Sequence, residues 1–360
     1  MKQTGCTLAK LVKRVLIYRL GSLGDMLVAL PALHLVARAF PNAERRMLTN
    51  LPVSAKAPSA AAILDNTGLL HGYLSYPVGT RSLWQLFRLW LELVRWRPQV
   101  VVYLAAARGI DVARRDAVFF RCAGIAQQIG VPLTEEMQRN LPEGLDGPLE
   151  PEAARLVRNL GMLGEGRLDD PENWSLRLTL QESAHARRVL EPAGGRRILT
   201  VCIGTKMQAK DWGRENWRQL LVQLGRLHPG CALALCGALD EEEVSEYVAK
   251  GWPGPVINLC GRLTPRESAA VIAECQLFLG HDSGPMHLAA AVQTPSVAIF
   301  AARNKPRVWF PHGLKHRVIY HSVDCWGCGL ETCIAERKRC ITSITIAEVL
   351  AAIEEQLMRS

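Results

Sequence analysis

Apolar and polar positions follow two rhythms along most of the 360-residue chain. Short apolar runs bounded by turn residues read as buried strands, and apolar residues every three or four positions read as amphipathic helices. KRVLIYR, from Lys13, is a strand, and the segment after Asp25 is helical. Pro31 falls inside that helical pattern and predicts a restart there, because an interior proline removes a hydrogen bond and clashes with the turn before it. RRMLTN gives a second strand, RSLWQLFRLWLELVRW a helix, and PQVVVYLAA a strand with no polar alternation. A softer zone rich in Gly, Pro and Asp runs from about Asn140 to Asp170 around the short helix EAARLVRNL, and EPAGGRR, Glu191 to Arg197, reads as a linker.

The second half repeats the rhythm more regularly. RRILTVCIG, CALALCGA, PVINLCG, QLFLGHDSG and PSVAIFA are strands, and ENWRQLLVQLGRLHP, EEEVSEYVAK and PMHLAAAV are helices between them. Thr264-Pro265-Arg266-Glu267 has the chemistry of a capping box opening another helix. Repeated β–α units predict α/β architecture with parallel sheets covered by helices on both faces. The expected division is a first domain over 1–190 and a second over 191–360, which suits a chain of this length. Ligands in such sheets bind outside the carboxyl ends of the strands.

Composition narrows the partners. The net charge of +9 favours anionic ligands, such as nucleotides, phosphorylated sugars or an acidic membrane surface. No zinc finger, aromatic RNA-binding motif or recognition helix is present, so nucleic acid is not an expected partner. No apolar run reaches the roughly 18–20 residues needed to span a bilayer, and Lys10, Lys13 and Arg14 break up the N-terminus, so a cytoplasmic location is expected. Most of the 11 cysteines then read as reduced core residues.

Five stretches carry candidate chemistry. In GSLGD, Gly21 and Gly24 lack the third glycine of a dinucleotide fingerprint, which leaves Asp25 at a strand-to-helix turn. It serves there as a functional carboxylate or as a helix cap. In HDSGPMHLAAA, the turn Asp282-Ser283-Gly284 opens a helix whose N-terminus can seat a diphosphate, with His287 one turn in. GTKMQAKDWGRENW places Lys206, Lys210 and Arg214 after a strand, as phosphate-neutralising cations or as a solvated basic loop. The run Asp240 to Glu243 offers a carboxylate to ribose hydroxyls, or simply enriches a first helical turn in acid. Cys325, Cys328, Cys333 and Cys340 fit either a structural metal site, zinc or iron, or free thiols. In addition, the helix from Arg81 to Arg97 has Arg81, Arg88 and Arg95 seven apart on one face; it either packs on the sheet or touches anionic lipid.

RLGSLGDMLVALPALHLVARAFPNAE and FLGHDSGPMHLAAAVQTPSVAIFA together resemble glycosyltransferase family 9, the ADP-heptose:lipopolysaccharide heptosyltransferases. The resemblance runs from about Arg14 to Ile353, with weaker matches at Lys210-Asp211-Trp212, Glu215-Asn216-Trp217 and the cysteine-rich tail. It implies a GT-B fold, two Rossmann-like domains facing each other across a cleft, with acceptor in the first and nucleotide sugar in the second. It implies an inverting transfer of heptose from ADP-heptose to a lipid-linked inner-core sugar, with no metal needed for catalysis and peripheral contact with the inner membrane. By position, Asp25 resembles the general base and Lys210 the cation on the leaving diphosphate. Thr205, Ser283 and Gly284 resemble phosphate contacts with His287 nearby, and Asp282 the ligand of the sugar hydroxyls. Glu242, among Glu241 to Glu243, resembles the ribose-binding acid. Cys202-Ile203-Gly204 stands where many members carry a His-Pro-Gly or related turn. A relative with another nucleotide sugar or acceptor, and a binding protein without turnover, are the alternatives.

Overall fold

The computed structural model describes residues 11–51, 58–80, 82–144 and 147–359. The tail before Leu11, Arg81 and residues 145–146 of the Gly-rich zone, all touched by the expectations above, lie outside the described residues. The chain forms two compact units, Met1–Arg177 and Leu178–Ser360.

The first unit is built on five parallel strands: β1 (Arg14–Tyr18), β2 (Glu44–Asn50), β3 (Gly72–Tyr76), β4 (Val100–Tyr103) and β5 (Gln127–Ile129). Their order is β3-β2-β1-β4-β5. β1 is central, with Tyr18 opposite both Leu48 and Tyr103, and β1 and β4 are almost wholly apolar because both faces are covered. After β1 come α1 (Leu23–Val28) and α2 (Leu30–Ala39); Pro31 lies in the first turn of α2, the restart expected from its missing N–H. Helices α3 (Leu83–Trp96) and α4 (Ile110–Cys122) pack Leu89, Leu93, Trp96, Ala113, Ala117 and Phe120 onto Leu16, Tyr18, Val101 and Tyr103 of the sheet. Helix α5 (Glu152–Asn159) buries Arg155 in a two-pronged pair with its own Glu152, at 2.8 and 2.6 Å.

The second unit has six parallel strands: β6 (Ile198–Cys202), β7 (Ala232–Leu235), β8 (Val256–Asn258), β9 (Leu277–His281), β10 (Ser296–Phe300) and β11 (His316–Tyr320). Their order, β11-β10-β9-β6-β7-β8, is the doubly wound arrangement of dinucleotide-type folds. Its helices are α6 (Leu180–Val189), α7 (Arg214–Leu227), α8 (Glu242–Ala249), α9 (Pro265–Ala273), α10 (Gly284–Ala291) and α11 (Ile346–Arg359). α9 opens with the expected box: the Thr264 hydroxyl accepts from the Glu267 N–H, and the Glu267 carboxylate accepts from the Thr264 N–H.

The division between the units falls ahead of the linker read from EPAGGRR. α6 belongs to the second unit because it packs on α9. The buried Arg266 guanidinium holds the Glu182 carboxylate at 2.5 and 2.9 Å, and Glu182 also accepts from the Thr179 N–H at 2.7 Å. Burial pushes the Glu182 carboxyl up, but the bonds from Arg266 and Thr179 outweigh it and its pKa falls. Removing one partner of such a pair strands the other charge. Arg266→Met is therefore expected to cost about 3 kcal/mol in urea unfolding of the full chain; a loss below about 1 kcal/mol shows that the pair does not anchor α6.

Candidate active site

Parallel strands end on one edge, and the strand order reverses at two places: between β1 and β4 in the first unit, and between β6 and β9 in the second. Helices leave opposite faces of the sheet at a reversal, which opens a crevice beyond the strand ends. Asp25 follows β1, and Asp282 and Ser283 follow β9, so each motif read from the sequence sits at a reversal point.

The Asp25 turn is held from below and behind. Gly21 has φ +123°, and a Cβ there would lie 2.3 Å from the Asp25 Cγ, so glycine supplies both the backbone angle and the room. Asp25 Oδ2 accepts from the Ser22 N–H at 2.7 Å and the Ser22 hydroxyl at 3.2 Å. Asp25 is thus the N3 acid of a capping box. Its other oxygen, Oδ1, lies 3.7 Å from the Arg19 guanidinium, and the side chain is 24% exposed. Capping engages Oδ2 and leaves Oδ1 outside the box. Arg19 is fully buried and donates to the Asp25 carbonyl at 3.1 and 2.6 Å and to the Leu104 carbonyl at 2.5 Å.

The same edge carries a polar network that the sequence did not reveal. Arg108 donates to the hydroxyls of Tyr18 (3.2 Å) and Tyr103 (3.0 Å) and to Asp116 (2.6 Å), and the Tyr18 hydroxyl meets that of Tyr76 at 3.1 Å. Burial raises the Tyr103 hydroxyl to about 12, with Asp116 adding to the effect. These residues come from β1, β3, β4, α4 and, for Arg108, the loop between β4 and α4, and no single stretch of sequence holds the pattern.

In the second unit, Lys210 Nζ lies 2.7 Å from Asp282 Oδ2 and donates to the Asp282 carbonyl at 3.1 Å. Only 13% and 5% of the two side chains are exposed. Asn304 also donates to Asp282 Oδ2. Ser283 is the N-cap of α10, yet its hydroxyl makes no cap bond; it is buried with no hydrogen-bond partner among the described residues. Gly284 and Met286 follow in the first turn, where a helix supplies no acceptor for the backbone N–H. His287 is buried against Trp309. Thr205 follows β6, its hydroxyl 3.4 Å from the Met207 N–H.

Glu242 and Glu241 of the acidic run take different positions. Glu242 heads α8 and pairs with Arg262 at 3.1 Å. Glu241 turns into the strand ends: its Oε2 accepts from the Ala238 N–H at 2.9 Å. A Cβ on Gly204 would stand 1.9 Å from Glu241 Oε1, and one on Gly237 2.5 Å from Oε2. Two missing side chains make room for this carboxylate beside Thr205.

His281, just before Asp282, is the residue that sequence reasoning passed over. Its Nε2 accepts from the Trp212 backbone N–H and the Trp217 indole N–H, both at 3.1 Å. Both tryptophans are 1% exposed. The signal was present, since Lys210-Asp211-Trp212 and Trp217 flank the loop that this histidine clamps against β9.

The cysteines Cys325, Cys328, Cys333 and Cys340 are free. Burial raises the Cys340 thiol, and the other three thiols are close enough to raise it further. Among the described residues no group of three or more His, Cys, Asp or Glu is arranged to hold a metal.

The sequence model of glycosyltransferase family 9 (heptosyltransferase) matches residues 149–338, just over half of the chain. The chain belongs to that family. Lipooligosaccharide heptosyltransferase 2 of Haemophilus influenzae is 33% identical over 112 residues, 30% of this chain and 32% of the relative. The chain spans between about a third and a half of the curated relatives it matches. A family 9 glycosyl transferase from Veillonella parvula superposes with a TM-score of 0.73 at 16% identity, over 97% of this chain and 98% of that one. The E. coli heptosyltransferase WaaC, solved with ADP-2-deoxy-2-fluoro heptose, gives 0.60 at 18% identity, over 95% and 99%. The family 9 member therefore has the GT-B type of fold, with two Rossmann-like α/β domains. No helix among its described residues is long and apolar enough to cross a membrane.

The His281 clamp has a pH signature. Burial holds its pKa down to about 4, although Asp211 and Asp282 oppose this, against 6.5 when unfolded. Between those values the unfolded chain binds a proton that the folded chain refuses, so stability falls as pH drops below 6.5. This residue is expected to remove about 2 kcal/mol between pH 8 and pH 5. Urea unfolding at both pH values checks it: His281→Gln, which keeps an acceptor and cannot titrate, must show the smaller difference.

Proposed function

We propose that this family 9 member is an inverting glycosyltransferase, taking heptose from ADP-heptose to a sugar of a lipid-linked lipopolysaccharide core. The observation that carries the reading is the second unit's reversal point. There the Lys210–Asp282 pair, the unpartnered Ser283 hydroxyl and the start of α10 lie together. A diphosphate suits this arrangement. Ser283 and the first-turn N–H groups donate to its oxygens, and Lys210 meets the charge that grows on the leaving ADP. Asp282 accepts from sugar hydroxyls. Glu241, which fills the space left by Gly204 and Gly237 beside Thr205, is the carboxylate placed to bind ribose hydroxyls, in preference to Glu242. His287 backs the first turn of α10.

Asp25 serves the acceptor. Its Oδ1 takes the proton of the attacking hydroxyl while Oδ2 stays bound to Ser22. The acceptor oxygen forms its bond to the anomeric carbon as the bond to ADP breaks, which inverts that carbon. The bound ADP-heptose analogue of the E. coli relative supports the donor. The names of the heptosyltransferase relatives support the acceptor class.

Purified enzyme with ADP-heptose and a core acceptor should release ADP. Asp25→Asn should lower kcat by about 100-fold or more with donor KM little changed. Lys210→Met should lower kcat by a similar factor. Full activity in Asp25→Asn would falsify the base assignment, and release of UDP from UDP-sugars with ADP-heptose inert would overturn the donor.

A further inference from the structure

Helices α3 and α4 lie side by side on the first sheet, and Trp90 Nε1 donates to the Cys122 carbonyl across their boundary at 3.0 Å. The face of α3 turned to the sheet buries Leu89, Leu93 and Trp96. Its N-terminal end does the opposite: Leu83 is 82% exposed, Trp84 65% and Phe87 47%, with Val78 just before the helix at 48%. Trp84, Phe87 and Trp90 stack in a ladder with ring centroids 5.9 and 5.8 Å apart. Sheet packing requires none of Leu83, Trp84 and Phe87, and an exposed apolar patch of this kind marks an interaction site.

The surrounding charge selects the partner. Arg88 and Arg95 on α3 and Arg114, Arg115 and Arg121 on α4 are exposed, against Glu92 and Asp111 among the acids. A second copy docked on this face would set arginine against arginine. An anionic surface with an apolar layer beneath it satisfies both kinds of residue: guanidinium groups bind lipid phosphate, while indole and phenyl rings settle at headgroup depth. The position also fits. β3 ends at Tyr76, paired with Asn50, so the chain enters Val78 and α3 from the same sheet edge that carries the Asp25 turn. We propose that this face docks the protein on anionic phospholipid, with Leu83, Trp84 and Phe87 inserted and the arginines on headgroups. Its purpose rests on the proposed function, because docking there brings a lipid-linked acceptor to the edge that holds Asp25.

Vesicle co-sedimentation of the full chain, without donor or acceptor, tests the surface apart from the chemistry. Wild type should bind vesicles containing phosphatidylglycerol, with a blue-shifted tryptophan emission, and should bind pure phosphatidylcholine weakly. Trp84→Ser/Phe87→Ser and Arg88→Glu/Arg121→Glu should each bind at least tenfold less at unchanged thermal stability. These variants should keep their transfer rate on a delipidated acceptor; loss of transfer in wild type itself would count against the proposed function and not against the surface. Equal binding by the variants, or no preference for phosphatidylglycerol, overturns the proposal. So does a dimer in sedimentation velocity that Trp84→Ser/Phe87→Ser dissolves, since a second copy would then cover the face.

Discussion

Every strand in this protein runs parallel to its sheet neighbours, and a parallel strand cannot turn straight back into its partner. Each return needs a long crossover connection, a helix in most cases and the helix-free segment 301–315 between β10 and β11, and every loop that leaves a strand's carboxyl end emerges on the same edge of its sheet. Residues far apart in sequence therefore meet. Lys210 comes from the loop after β6 and Asp282 from the end of β9, yet they pair because β6 and β9 are neighbours. Gly204 and Glu241 meet beyond the ends of β6 and β7 for the same reason. The chemistry follows from strand order before it follows from any single motif.

The polar groups at these edges are held by apolar packing. Trp212 and Trp217 are part of the second unit's core, and the Trp212 backbone N–H and the Trp217 indole N–H share one neutral imidazole as acceptor. A charged ring could not accept there, so burial, by keeping His281 neutral, is what allows the clamp to work. The Lys210 loop thereby inherits the rigidity of the core. Ser283 presents a buried hydroxyl without a partner among the described residues, and such groups carry a cost that a ligand can offset.

Much of this was legible in the sequence. Long apolar runs gave β1, β4, β6, β7, β9 and β10, Pro31 gave the restart of α2, and Thr264 to Glu267 gave the cap of α9. The two site turns were readable because glycine, serine and proline leave little freedom between a strand and a helix. Other elements were not. β3 (GYLSY) has one fully buried residue, and α4 spreads its apolar positions among arginines, so neither has a clean period. The linker reading at EPAGGRR missed α6 because Arg266, which anchors it, lies 84 residues from Glu182. That Glu241 turns toward the strand ends depends on the absence of side chains at Gly204 and Gly237, which no local pattern in the acidic run records. The network of Tyr18, Tyr76, Tyr103, Arg108 and Asp116 has no sequence signature, since four elements contribute to it.

Arg19 shows what such non-local bonding does to a crevice. One guanidinium, wholly enclosed, reaches the Asp25 carbonyl after β1 and the Leu104 carbonyl after β4, the two chain exits on either side of the strand-order reversal. It acts as a strut of fixed length. The gap between those exits is thereby set by the span of a single side chain and not by the flexibility of two loops. Anything that enters this crevice meets a mouth whose width one buried guanidinium sets.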